Sequence, residues 1–121
     1  MSYTIPLDWG QRMLVVGDIG GTKTAMALYA LDDDVRSPRF RQDFPSADYP
    51  DLDTIVRTFI TASGERADYG CFDVAGPVVQ GRATITKRLS AALQRIPVHV
   101  VTVPAALFGA AQFGIDAVRV P

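Results

Sequence analysis

The stretch Val15-Val16-Gly17-Asp18-Ile19-Gly20-Gly21-Thr22-Lys23-Thr24 decides how the rest of the chain is read. An apolar run beginning at Met13 leads into an acidic residue, two adjacent glycines and Thr-Lys-Thr; a second apolar run, Ala25-Met26-Ala27-Leu28-Tyr29, then leaves. Two strands joined by a tight turn fit this pattern. A glycine pair tolerates positive φ, so successive backbone N–H groups can form an anion-binding nest there. The hydroxyls of Thr22 and Thr24 and the ammonium of Lys23 add donors, and Asp18, at the end of the first strand, is placed to hold a hydrated Mg²⁺ against a phosphate. Asp18, Gly20, Gly21, Thr22, Lys23 and Thr24 are therefore the candidate phosphate- and nucleotide-binding residues, with Mg²⁺ reached from Asp18 through water.

Two other phosphate grips do not fit. A Walker A loop counted from Gly17 would need a glycine where Thr22 stands, and the dinucleotide fingerprint G-x-G-x-x-G fails at Ile19. Both also need a helix after the loop, whereas the segment here ends in Leu31-Asp32-Asp33-Asp34 and reads better as a second strand. A ligand-free Gly-Gly hairpin competes with the phosphate grip. Asp18 before the turn and Thr-Lys-Thr after it weigh towards the grip.

At 121 residues with 48% hydrophobic content, the chain suits one domain with a real core. A net charge of −1, with both signs interspersed, points to neither nucleic acid nor an anionic membrane. The single cysteine, Cys71, excludes an internal disulfide and fits a reducing, cytoplasmic setting. No apolar run approaches a membrane span and no signal peptide is visible.

In chain order, residues 1–11 read as a loosely docked arm. Strands are expected at about residues 12–18, 24–31 and 39–44, the last with Phe40, Gln42 and Phe44 on one face. The Asp32-Asp33-Asp34 run between the second and third is expected to be a solvated turn. Asp51 or Asp53 opens a helix whose Leu52, Ile55, Val56, Phe59 and Ile60 form an amphipathic stripe, and Gly64 ends it. Residues 69–75 read as a buried strand containing Cys71, followed by a hairpin of Val78-Val79 with residues 83–86. A second helix is expected at residues 87–95, a strand at 97–102 carrying the lone His99, and a third helix that starts near Pro104 and stops at Gly114. Residues 115–121 show no pattern and read as a tail. The order β-β-β-α-β-α-β-α with right-handed crossovers gives a mixed five-stranded sheet of order 3-2-1-4-5 with helices on both faces.

The string Val16-Gly17-Asp18-Ile19-Gly20-Gly21-Thr22-Lys23-Thr24 resembles the first phosphate motif of bacterial ATP-dependent glucokinases, sugar kinases of the actin and hexokinase superfamily. Phe72-Asp73-Val74-Ala75-Gly76-Pro77 and the residues up to Thr86 resemble the family's Ala-Gly-Pro strand and hairpin. The resemblance implies a ribonuclease H-like fold and a glycolytic parent reaction, phosphoryl transfer from Mg·ATP to glucose. It implies a single phosphate-binding domain at residues 12–114, in which 12–86 are small-domain-like. Residues 87–114 instead resemble the extreme C-terminus of the same family, as though a large domain were absent between them. The family's catalytic Asp, from an Asn-Asp pair after the fifth strand, falls near Thr102 and Val103, so no catalytic residue is assigned. ATP or phosphate is then a weak ligand, held through its phosphates. A self-associating interaction module, or a phosphotransferase active only as a dimer, remains open, and a homodimer would pack through the third helix on Ala105, Ala106, Ala110 and Ala111 beside Phe108 and Phe113.

Overall fold

The computed structural model describes residues 12–74, 82–101 and 106–119. Three strands come first: β1 (Met13–Ile19), β2 (Lys23–Ala30) and β3 (Phe40–Pro45). They are followed by α1 (Leu52–Ser63), β4 (Tyr69–Val74), α2 (Arg82–Ala92), β5 (Val98–Val101) and α3 (Ala106–Arg119). The sheet order is β3-β2-β1-β4-β5. β1–β2 and β2–β3 are antiparallel, while β1–β4 and β4–β5 are parallel. This is the ribonuclease H-like arrangement expected from the sequence.

β1 and β2 lie at the centre, buried on both faces, which is why they read as continuous apolar runs rather than alternating ones. Their side chains still alternate between two cores. Met13, Val15, Met26 and Leu28 meet Ile55, Phe59 and Leu89 on one side. Leu14, Val16, Ala25 and Ala27 meet Leu107, Ala111 and Ile115 of α3 on the other. Phe40 and Phe44 both face Phe59, with ring centroids 5.3 and 6.4 Å away. Helix α1 begins where the Asp51 carboxylate accepts the Thr54 N–H at 2.8 Å, and it closes at Gly64 in the left-handed region, φ 70°. The aspartate turn is tied to its own arginines: Asp33 pairs with Arg39 at 3.0 Å and Asp34 with Arg36 at 3.1 Å. Cys71 is fully buried under α3 and His99 is exposed on β5.

Two expectations are corrected. Residues 83–86 are not the returning strand of a hairpin; they form the start of α2, which begins at Arg82 rather than Lys87. The β-branched run there is overridden by packing, because Ile85 falls at helical spacing with Leu89 and Leu93, and all three join the same core. Val78 and Val79 lie outside the described residues, as do residues 1–11. At its other end α2 stops at Ala92, since Gln94 and Arg95 take φ values of 64° and 66°.

The second correction concerns α3, which runs through Gly114 to Arg119, so residues 115–119 are helix rather than tail. Gly114 serves close packing: a Cβ there would lie 2.9 Å from Cys71 Cβ and 2.9 Å from Leu14 Cδ2. Ile115 then continues the apolar face. Of the residues named for self-association, Ala110 and Ala111 are 0% exposed against the chain's own sheet, while Phe108 and Phe113 of the same helix are 42% and 51% exposed.

Candidate functional site

The turn between β1 and β2 is closed by one backbone hydrogen bond, from Gly20 N–H to the Lys23 carbonyl at 3.1 Å. Neither Gly20 nor Gly21 has positive φ; among the described residues the glycine that does is Gly64. The turn needs glycine for a different reason from the one the sequence suggested. A Cβ on Gly20 would stand 2.9 Å from the Lys23 carbonyl oxygen, a backbone atom that cannot move aside cheaply. Gly21 has nothing within 4 Å of that position, so the outside of the turn is open.

Strand alternation places Asp18 and Lys23 on the α3 side of the sheet, and with Arg41, Leu107, Phe108 and Gly109 they line an open hollow of about 300 Å³. The hollow lies at the first turn of α3, and the positive end of a helix dipole favours negative charge. Asp18 lies in register with Asp73 on the parallel neighbour β4, and Asp73 is only 4% exposed. Partial burial raises the Asp18 pKa above its ordinary value, the Asp73 charge raises it further, and Lys23 pulls it back down. Two adjacent carboxylates in such a place favour a cation between or beside them. Among the described residues no three potential ligands cluster to enclose a metal. Mg²⁺ binds through one or two carboxylates and completes its shell with water and phosphate oxygens, so the donor set fits that ion.

Lys23 reaches Asp43 at 3.5 Å and Arg41 reaches the same carboxylate at 3.7 Å. All three side chains are well exposed, and such pairs are weak enough to exchange for a phosphate. Thr24 is placed differently from the sequence expectation. It points to the opposite face, 1% exposed, with its Oγ1 3.1 Å from Ser46 Oγ. The Ser46 hydroxyl donates to the Gly20 carbonyl at 2.9 Å, so the proton between the two hydroxyls comes from Thr24 and is already committed. Thr22 is exposed at the turn, its carbonyl accepting the Ser46 N–H at 3.0 Å.

The structure thus gathers Asp18, Gly20, Gly21, Thr22 and Lys23, sets Thr24 behind them, and adds three residues that sequence reasoning did not single out. Asp73 had a visible signal, a charge inside the apolar run Phe72-Asp73-Val74. Arg41 had a weaker one, since the face opposite Phe40, Gln42 and Phe44 must carry residues 41 and 43. Ser46 had none. A larger hollow of about 640 Å³ lies between the ends of α1 and α2, beside Ile60, Arg57 and Leu93, and holds none of these residues. Cys71 shares the α3 face, but burial and the Asp73 charge push its pKa up to about 11, so it stays a neutral core thiol.

Comparisons with known proteins bear on the family and the fold. The glucokinase from Nostoc punctiforme is 40% identical over 76 residues, which is 61% of this chain and 22% of that protein. The glucokinase from Nostoc sp. is 34% identical over 77 residues, again 22% of its length. This chain therefore spans about a fifth of the curated relatives it matches. A crystal structure of glucokinase from an Antarctic psychrotroph superposes with a TM-score of 0.59 at 26% identity, over 74% of this chain and 31% of that one. The inorganic polyphosphate/ATP-glucomannokinase from Arthrobacter sp. strain KM shares the fold, with a TM-score of 0.58 at 18% identity, over 83% of this chain and 50% of its own. A family model for glucokinase matches residues 15–88, which contain most of β1, all of β2 to β4, the turn and both Asp18 and Asp73, and the chain belongs to the glucokinase family.

Proposed function

We propose that this chain carries the phosphate-binding part of an ATP-dependent glucose phosphotransferase and binds the phosphates of Mg·ATP at the β1–β2 turn. The observation that carries the proposal is the placement of Asp18 and Lys23 on one face of a turn whose Gly21 side is open. Backbone N–H groups of the turn and the Lys23 ammonium take the phosphate oxygens. Arg41, one strand further out on the same hollow, extends the positive side. Asp18, with Asp73 beside it, holds Mg²⁺ through water. When bound, that ion neutralises phosphate charge and fixes the phosphate chain's orientation.

Phosphorylating a sugar also needs a group that takes the hydroxyl proton. The two positions that follow β5 are Thr102 and Val103, and neither side chain can do so. The 121-residue protein is therefore proposed to bind phosphate without phosphorylating glucose. The buried, neutral Cys71 suits a reducing cytoplasmic setting.

Amide resonances followed while Mg²⁺·pyrophosphate and Mg²⁺·ATP are added test the binding. Shifts should centre on residues 19–24, with a Kd in the millimolar range, about −4 kcal/mol. ATP should bind no more tightly than pyrophosphate, because the phosphates supply the contacts. Shifts centred on the hollow between α1 and α2 would overturn the assignment.

A further inference from the structure

Ser46, the first residue after β3, meets the turn at three points. Its N–H donates to the Thr22 carbonyl at 3.0 Å, its hydroxyl donates to the Gly20 carbonyl at 2.9 Å, and its Oγ lies 3.1 Å from Thr24 Oγ1. A hydroxyl has a single proton to give. That of Ser46 is on the Gly20 oxygen, so the relay runs in one direction, from Thr24 to Ser46 to the Gly20 carbonyl. The peptide joining Gly20 to Gly21 is planar and trans, and its N–H belongs to Gly21 and points opposite to its C=O. Anchoring the Gly20 carbonyl towards Ser46 therefore turns the Gly21 N–H away from Ser46.

We infer that Ser46 is a positioning residue of the phosphate turn: through this relay it fixes the direction of the Gly21 N–H, the donor that an arriving phosphate oxygen meets. The inference rests on the phosphate-binding role proposed above for the turn. It also accounts for the buried Thr24, whose hydroxyl supports the relay from behind instead of touching the ligand. If Ser46 served only to close the sheet edge, its backbone N–H on Thr22 would suffice and the hydroxyl would be dispensable.

The test uses the full chain as wild type, Ser46→Ala and Ser46→Thr, with two readouts: the Gly21 amide resonance without ligand, and the Kd for Mg²⁺·pyrophosphate. Ser46→Ala should move the Gly21 resonance and weaken pyrophosphate about 3- to 10-fold, the scale of one hydrogen bond. Ser46→Thr, which keeps the hydroxyl, should restore both. An unmoved Gly21 resonance in Ser46→Ala, or an affinity equal to wild type, would overturn the inference. A wild-type chain that does not bind pyrophosphate would remove the phosphate role itself, and the Gly21 resonance would still decide whether Ser46 sets the turn. Should Ser46→Ala fail to fold, Thr24→Val leaves Ser46 without its donor and should change the same two readouts in the same direction.

Discussion

Replacing Asp18 by Asn should make this protein more stable and abolish its Mg²⁺-dependent phosphate binding. The carboxylate sits half-buried and in register with Asp73, and its raised pKa follows first from burial and then from that neighbour. At roughly 5 Å, the spacing of adjacent strands, two unit charges repel by about 3 kcal/mol in an effective dielectric constant of about 20. Partial exposure screens much of this, and Lys23 on the same face offsets more, leaving a gain of about 1 kcal/mol for Asn. For a domain of this size that is roughly 4 °C in Tm. The pH dependence has a definite sign. A pKa raised on folding means that the native state binds more protons than the unfolded chain, starting from the ordinary value of 3.8 and continuing up to the raised one. Wild-type stability from this group therefore falls as pH rises through that window. Below it Asp18 is protonated in both states, and the advantage of Asn should vanish. Thermal unfolding of both proteins by circular dichroism, at about pH 7 and about pH 3, measures the difference. A lower Tm for Asp18→Asn at neutral pH, or a gap of equal size at acidic pH, would refute the like-charge explanation.

Two other outcomes are expected. Gly114→Ala should cost roughly 1–3 kcal/mol in urea unfolding, because its Cβ would crowd Cys71 and Leu14 and lift α3 from the sheet; unchanged stability would show that the helix packs less closely. A coupled assay with ATP and glucose should show no turnover, since loss of a general base alone costs roughly 10²–10⁴-fold; turnover that disappears in Asp18→Asn would instead support a phosphotransferase complete in this chain.

Much of the fold was legible because its signals are local. The two apolar runs about Gly20-Gly21, the stripe from Leu52 to Ile60 and the caps at Asp51 and Gly64 each act within a few residues of themselves. The start of α2 and the end of α3 were not legible, because each depends on a distant partner. Thr84, Ile85 and Thr86 favour a strand by propensity, and only the core met by Ile85, Leu89 and Leu93 makes them helical. Gly114 looks like a helix stop until Leu14 and Cys71 are seen beneath it. That Ala110 and Ala111 of α3 pack on the sheet of their own chain likewise depends on partners distant in sequence.

For the site, the sequence by itself determined the chemistry: Asp18, the glycine pair and Lys23 follow one another in a single hairpin, so their proximity is covalent. Tertiary structure decided which of these groups can act together. Strand alternation sends Lys23 and the adjacent Thr24 to opposite faces of the sheet, and parallel pairing of β1 with β4 brings Asp73 against Asp18. The chain's path after β3 carries Ser46 back to the Gly20 carbonyl. Such contacts join residues far apart in the chain, and their register is fixed by burial on both faces of the central strands, a property of the assembled sheet that no single segment encodes.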